Sequence, residues 1–248
     1  MQSLDSIQDP SSGATPHPGV HPIATAPADS GPRLPARALE ERRLIHRSES
    51  LRAHADAFRQ LRTRLTGLMP GRNFVTLVAP VNPRCGGSFV ARNLAAAFAF
   101  DEAKHALLVD CDARYPSQHT ALRLDAATGL VNYLFDPATD IASLVYPTGV
   151  PRLDVVPFGR PMESASDAFT STRMRTAIDS LRGATHNRYV VLDSPAVHGS
   201  PDARILSDLA DLVVLVAGYG RTTREDVERA AASFETGKVA GVVFNNGV

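Results

Sequence analysis

Three aspartates and one serine are the residues whose type and spacing point most directly to chemistry. Asp110 and Asp112 end the run "LLVDCDARYP", Asp193 ends "YVVLDSP", and Ser88 closes the turn "VNPRCGGS". Strand alternation puts Asp110 and Asp112 on one side. Carboxylates held close repel unless a cation lies between them, which a Mg²⁺ ion supplies. Asp193 stands where an acid holds the magnesium's water shell, and the Ser88 hydroxyl is placed to share the ion. Any one of these acids alone would read as a cap or turn residue. Three of them around one Gly-Gly-Ser turn predict a nucleotide-type site.

The turn itself departs from the phosphate-cradling pattern. That pattern ends Gly-Lys-Ser/Thr, and here Gly87 holds the lysine position. Gly86 and Gly87 keep the backbone part of the cradle, while the countercharge to the β and γ phosphates is missing. Losing one partner of a desolvated charge pair costs about 2–5 kcal/mol. At about 1.4 kcal/mol per decade this is roughly 30- to several-thousand-fold in affinity. Of the 26 basic residues only Lys104 and Lys238 are lysines, and both fall outside the loop. Arg84 is the only local cation, and its planar fork does not replace an ammonium at a fixed point. Asn82 supplies no charge either. Restoring lysine at position 87 is therefore expected to strengthen nucleotide binding.

The elements that must position these residues follow from periodicity. "NFVTLVA", "HALLVD", "LDVVPF", "RYVVLD", "DLVVLVA" and "VAGVVFN" are near-continuous apolar runs of the kind found in strands buried on both faces. Helical patterns lie between them, from Ser88 to about Ala103 and over 171–182, 202–209 and 223–235. The alternation predicts an α/β fold, one doubly wound, mostly parallel sheet flanked by helices over 71–248, with ligands beyond the strands' carboxyl ends. Residues 1–35 hold seven of the 18 prolines and read as a disordered tail. Residues 36–70 are Arg-rich, with Leu39, Leu44, Leu51, Phe58, Leu61 and Leu65 near helical spacing, and predict a helical segment.

Composition removes several classes. The formal net charge is zero, which argues against nucleic acid or an anionic lipid surface as partner. No window offers about 18 consecutive apolar residues and no signal peptide is evident, so the expected location is cytoplasmic, with membrane contact only through a partner. Cys85 and Cys111 show no pairing pattern. Small apolar filler is the reading adopted for both, and a redox link would require them to lie within reach of each other.

With these residues in place, the chain resembles the bacterial tyrosine kinase (BY-kinase) family, a branch of the P-loop ATPases that includes the partition and septum-site ATPases. The resemblance covers roughly residues 50–246. It rests on "LLVDCDARYPSQH", "GLVNYL", "VVLDSP" and "HGSPDARILSDLADLVVLV", and the Arg114–Pro116–His119 continuation favours the polysaccharide branch. It implies ATP and Mg²⁺ as ligands, weakened or lost here. Loop residues Asn82, Pro83, Arg84, Cys85, Gly86, Gly87, Ser88 and Phe89, with Asn245 at the adenine, would bind nucleotide. Ser88, Asp110, Asp112 and Asp193 would hold the metal, and Asp110 would serve as base toward a tyrosine hydroxyl. "DAFRQLRTRL" resembles the family's ring-docking helix, which assigns Asp56, Arg59 and Arg62 to a homo-oligomeric contact. The implied partner is a Wzz-type inner-membrane polysaccharide co-polymerase. The family's C-terminal tyrosine cluster has no counterpart before Val248, and with Gly87 this leads to the expectation of a pseudokinase. The alternatives are a kinase acting on a partner and a positioning ATPase of the partition type.

Overall fold

The computed structural model describes residues 34–46, 52–184 and 187–245; the Pro-rich stretch up to residue 33, Leu51 and Asn246 lie outside them. The apolar runs form strands β1 (Val75–Pro80), β2 (His105–Asp110), β4 (Leu153–Val156), β5 (Arg188–Asp193), β6 (Leu212–Gly218) and β7 (Val239–Asn245), and a two-residue strand β3 (Tyr146–Pro147) joins the edge. Their order in the sheet is β3-β4-β2-β5-β1-β6-β7. All pairs are parallel except β3 with β4. Parallel strands require crossovers on the faces, and the helices supply them.

Alternation along β1 divides the core into two layers. Val75, Leu77 and Ala79 face one cluster, with helices α5 (Leu130–Phe135), α6 (Ser166–Thr170), α7 (Thr172–Gly183), α8 (Asp202–Ser207) and α9 (Arg224–Ala231) around it. Phe74 and Val78 face the other, which is covered by α2 (Arg52–Leu68) and α3 (Gly87–Ala99). Phe98 of α3 stacks on Tyr189 of β5 with centroids 4.6 Å apart, and both pack on Phe74. Helix α3 is apolar on almost every side, which fits a helix buried between the sheet and α2.

The predicted helical segment over 36–70 does not run through. Helix α1 (Ala36–Glu41) ends in a Schellman motif, with Arg43 left-handed at φ 51°. The Leu44 N–H donates to the Leu39 carbonyl at 2.9 Å and the Arg43 N–H to Glu40 at 2.8 Å. Leu44 and Ile45 are then buried as extended chain rather than on a helix face. Asn93 of α3 holds them there. Its Oδ1 accepts the Ile45 N–H at 2.7 Å, and its Nδ2 donates to the Arg43 and Phe89 carbonyls at 2.9 and 3.0 Å.

Asn93→Ala leaves a buried N–H and a carbonyl without partners, so a loss of about 1–3 kcal/mol is expected. Denaturant unfolding with an unchanged midpoint would show that this clamp contributes nothing.

Candidate functional site

The site forms where β1, β2 and β5 end. Parallel pairing of β2 with β5 sets Asp110 directly beside Asp193, and both are fully buried. Asp110 is held by backbone: its Oδ2 accepts the N–H groups of Ser117 and Gln118 at 2.9 and 3.0 Å, and its Oδ1 accepts that of Asp112 at 3.2 Å. Burial and the neighbouring Asp193 charge push its pKa up to about 8 against the pull of those N–H groups. Burial raises Asp193 to about 6, opposed by hydrogen bonds from Gln118 and Ser88.

Gln118, the first residue of the short helix α4 (Gln118–Ala121), ties the pair to α3. Its Nε2 donates to Asp193 Oδ2 at 2.7 Å and to the Ser88 carbonyl at 3.0 Å. Its Oε1 accepts from Arg92 at 3.0 Å. Arg92, one turn beyond Ser88, is a buried cation whose charge is stabilised by Asp193 against the cost of burial. Neither Gln118 nor Arg92 was picked out from sequence. A signal existed for Arg92, a lone charge within the apolar run "FVARNLAAAFAF"; "YPSQHTAL" offers none for Gln118.

The loop keeps the backbone of a phosphate cradle. Arg84 and Gly86 are left-handed at φ 63° and 83°, and α3 starts at Gly87. Such a conformation costs Arg84 strain that glycine would avoid. Asn82 donates to the Arg221 carbonyl and to Asp226 Oδ2, both at 3.3 Å, which fixes the loop to the turn before α9. Cys85 Sγ lies 3.3 Å from Thr222 Oγ1. Asn245, the last residue of β7, donates from Nδ2 to the Cys85 carbonyl at 3.0 Å. A Cβ on Gly86 would fall 2.1 Å from that Nδ2 and displace the Asn245 side chain, and the positive φ favours glycine there.

Several sequence-predicted residues lie elsewhere or act differently. Asp112 turns its Oδ1 to the Tyr115 N–H at 3.0 Å. Among the described residues no three His, Cys, Asp or Glu side chains form a ready-made metal cluster, while the Asp112 charge is close enough to help push the Asp193 pKa up. β2 ends at Asp110, so Asp112 lies in the turn that follows the strand. Ser88 and Asp193 do fit a magnesium held through its waters: Ser88 bonds Asp193, whose Oδ1 is buried without a hydrogen-bond partner. Phe89 packs edge-on against Phe58 of α2 at 6.1 Å, and Pro83 and Arg84 are exposed. Asp56 and Arg59 form an exposed ion pair at 2.6 Å, whereas Arg62 donates to the Ala97 carbonyl of α3 at 3.0 Å. Cys85 sits against the end of β6 and Cys111 follows β2, three strand steps or about 14 Å away. A disulfide spans at most about 7 Å between Cα atoms, so a direct redox link is excluded.

The raised carboxyl pKa values set the sign of a pH effect. The folded chain keeps protons that the unfolded chain releases above about pH 4, so without divalent cation stability falls as pH rises from about 4 to 8. Asp193→Asn is expected to flatten that slope and to raise the melting temperature at pH 8. Equal effects of the substitution at pH 5 and pH 8 would contradict the paired-carboxylate electrostatics.

Comparison with known proteins fits this geometry. No protein-family model matches the chain. The tyrosine-protein kinase wzc of Salmonella typhimurium is 32% identical over 196 residues, which is 77% of this chain and 26% of that protein. The chain thus spans about a quarter of the first relatives it matches. The tyrosine-protein kinase YwqD of Bacillus subtilis is 27% identical over 208 residues, 83% of this chain and 86% of that protein. The crystal structure of the chimerical protein CapA2B2 superposes with a TM-score of 0.71 at 26% identity, covering 82% of this chain and 92% of that one. The septum site-determining protein MinD complexed with Mg-ADP, from Pyrococcus horikoshii, shares the fold alone, with a TM-score of 0.56 and 18% identity over 70% of this chain and 69% of that one. A parallel sheet in this strand order, acids at the ends of β2 and β5, and relatives named as tyrosine kinases converge: the chain belongs to the bacterial tyrosine kinase family.

Proposed function

We propose that the protein serves polysaccharide chain-length control or export as an assembly component, with weak or absent phosphoryl transfer. The observation that carries this reading is Gly87 at the head of α3, with Asp110 and Asp193 still paired behind it. Phosphoryl transfer depends on electrostatic stabilisation of the moving group, and the loop offers no ammonium for it. The burial of Asp110 adds support. A base must come within hydrogen-bond reach of the tyrosine hydroxyl, and Asp110 is fully buried.

Ser88 and Asp193 would hold Mg²⁺, which when bound neutralises phosphate charge. The loop 82–88 would bind the phosphates through its backbone, with Arg84 beside them. The partner is a Wzz-type inner-membrane polysaccharide co-polymerase, reached from the cytoplasmic side. The exposed Asp56–Arg59 pair on α2 would lie in the contact between copies of this chain. Among the described residues no helix is long and apolar enough to cross a membrane.

Purified protein incubated with Mg-ATP is expected to show no phosphotyrosine by mass spectrometry. Phosphotyrosine that disappears in Asp110→Ala would identify a working kinase instead.

A further inference from the structure

Pro80 is out of place by ordinary sheet rules. It ends β1, which lies between β5 and β6 in the middle of the sheet, where a residue without an N–H is rarely found. The strand absorbs it at its last position. Pro80 pairs with Val216, its carbonyl accepts the Val197 N–H at 2.8 Å, and Val81 resumes the ladder by donating to the Val216 carbonyl at 2.9 Å.

What the ring touches gives this proline a meaning. A Cβ built on Gly87 would lie 2.6, 2.7 and 3.1 Å from Pro80 Cγ, Cδ and Cβ, and these are its three nearest atoms. Contacts below about 3 Å force something to move. The pyrrolidine ring is fixed to the backbone and cannot swing aside like a flexible side chain. Gly87 is buried in the first turn of α3 and does not need a left-handed backbone. Its lack of a side chain therefore answers the ring.

We infer that Pro80 fills the space through which a lysine at position 87 would leave the helix, so that residues 80 and 87 form one unit. The packing stands by itself; its bearing on phosphate affinity rests on the proposed phosphate-loop reading. The inference reverses the sequence expectation for Gly87→Lys. Lysine alone collides with the ring, and the cradle can regain its countercharge only when Pro80 is replaced as well.

The test compares the full chain with Pro80→Ala, Gly87→Lys and the double variant, each by thermal unfolding and by calorimetric titration with Mg-ATP. Overpacking predicts that Gly87→Lys alone melts roughly 3–10 °C lower and gains no affinity. In the Pro80→Ala background the same substitution should cost less than half as much, and the double variant should bind roughly 30-fold tighter than the unsubstituted chain or better. Equal melting losses in both backgrounds, or tight binding by Gly87→Lys alone, would overturn the inference. Coupled melting with no gain in affinity would uphold the Pro80–Gly87 packing and remove the phosphate-loop reading instead.

Discussion

The fold's central constraint is the pair of buried carboxylates at the ends of β2 and β5. Parallel register places Asp110 and Asp193 side by side, where two negative charges in low dielectric would repel strongly. The surroundings answer that repulsion from three directions. Backbone N–H groups of 112, 117 and 118 hold Asp110, the Gln118 amide holds Asp193, and Arg92 supplies a buried positive charge. Each group also fixes an element: the turn after β2, the start of α4, and the first half of α3. The pair therefore organises the loop ends even without bound ligand.

Around that pair, the loop between β1 and α3 is held by several neighbours. Asn82, Cys85 and Asn245 tie it to the turn before α9 and to β7, and Gly86 fits under Asn245. The lysine position is closed by the Pro80 ring. Loss of the lysine thus reads as part of the packing of β1 against α3.

The sheet was legible because six apolar runs alternate with helical stretches, the pattern that parallel strands covered on both faces produce. The acids at strand ends were legible for the same reason, since polar residues closing such runs stand out. Three features were not. The break after α1 depends on Arg43 adopting positive φ, which arginine seldom signals. The turn that carries Asp112 depends on where β2 ends, a boundary that periodicity leaves loose. Gln118, Arg92 and Pro80 act through contacts between residues 26 or more apart or across a strand–loop–helix turn, and such contacts carry no local pattern.

In the proposed reading this member of the family keeps the carboxylate frame and lacks, at Gly87, the charge that makes such a loop bind nucleotide tightly. Calorimetric titration of the unsubstituted chain with ATP, with and without Mg²⁺, tests it most directly. Dissociation constants of about millimolar or weaker are expected, because a tight site of about micromolar affinity loses roughly 30- to several-thousand-fold without the lysine. Micromolar binding that depends on Mg²⁺ would contradict it.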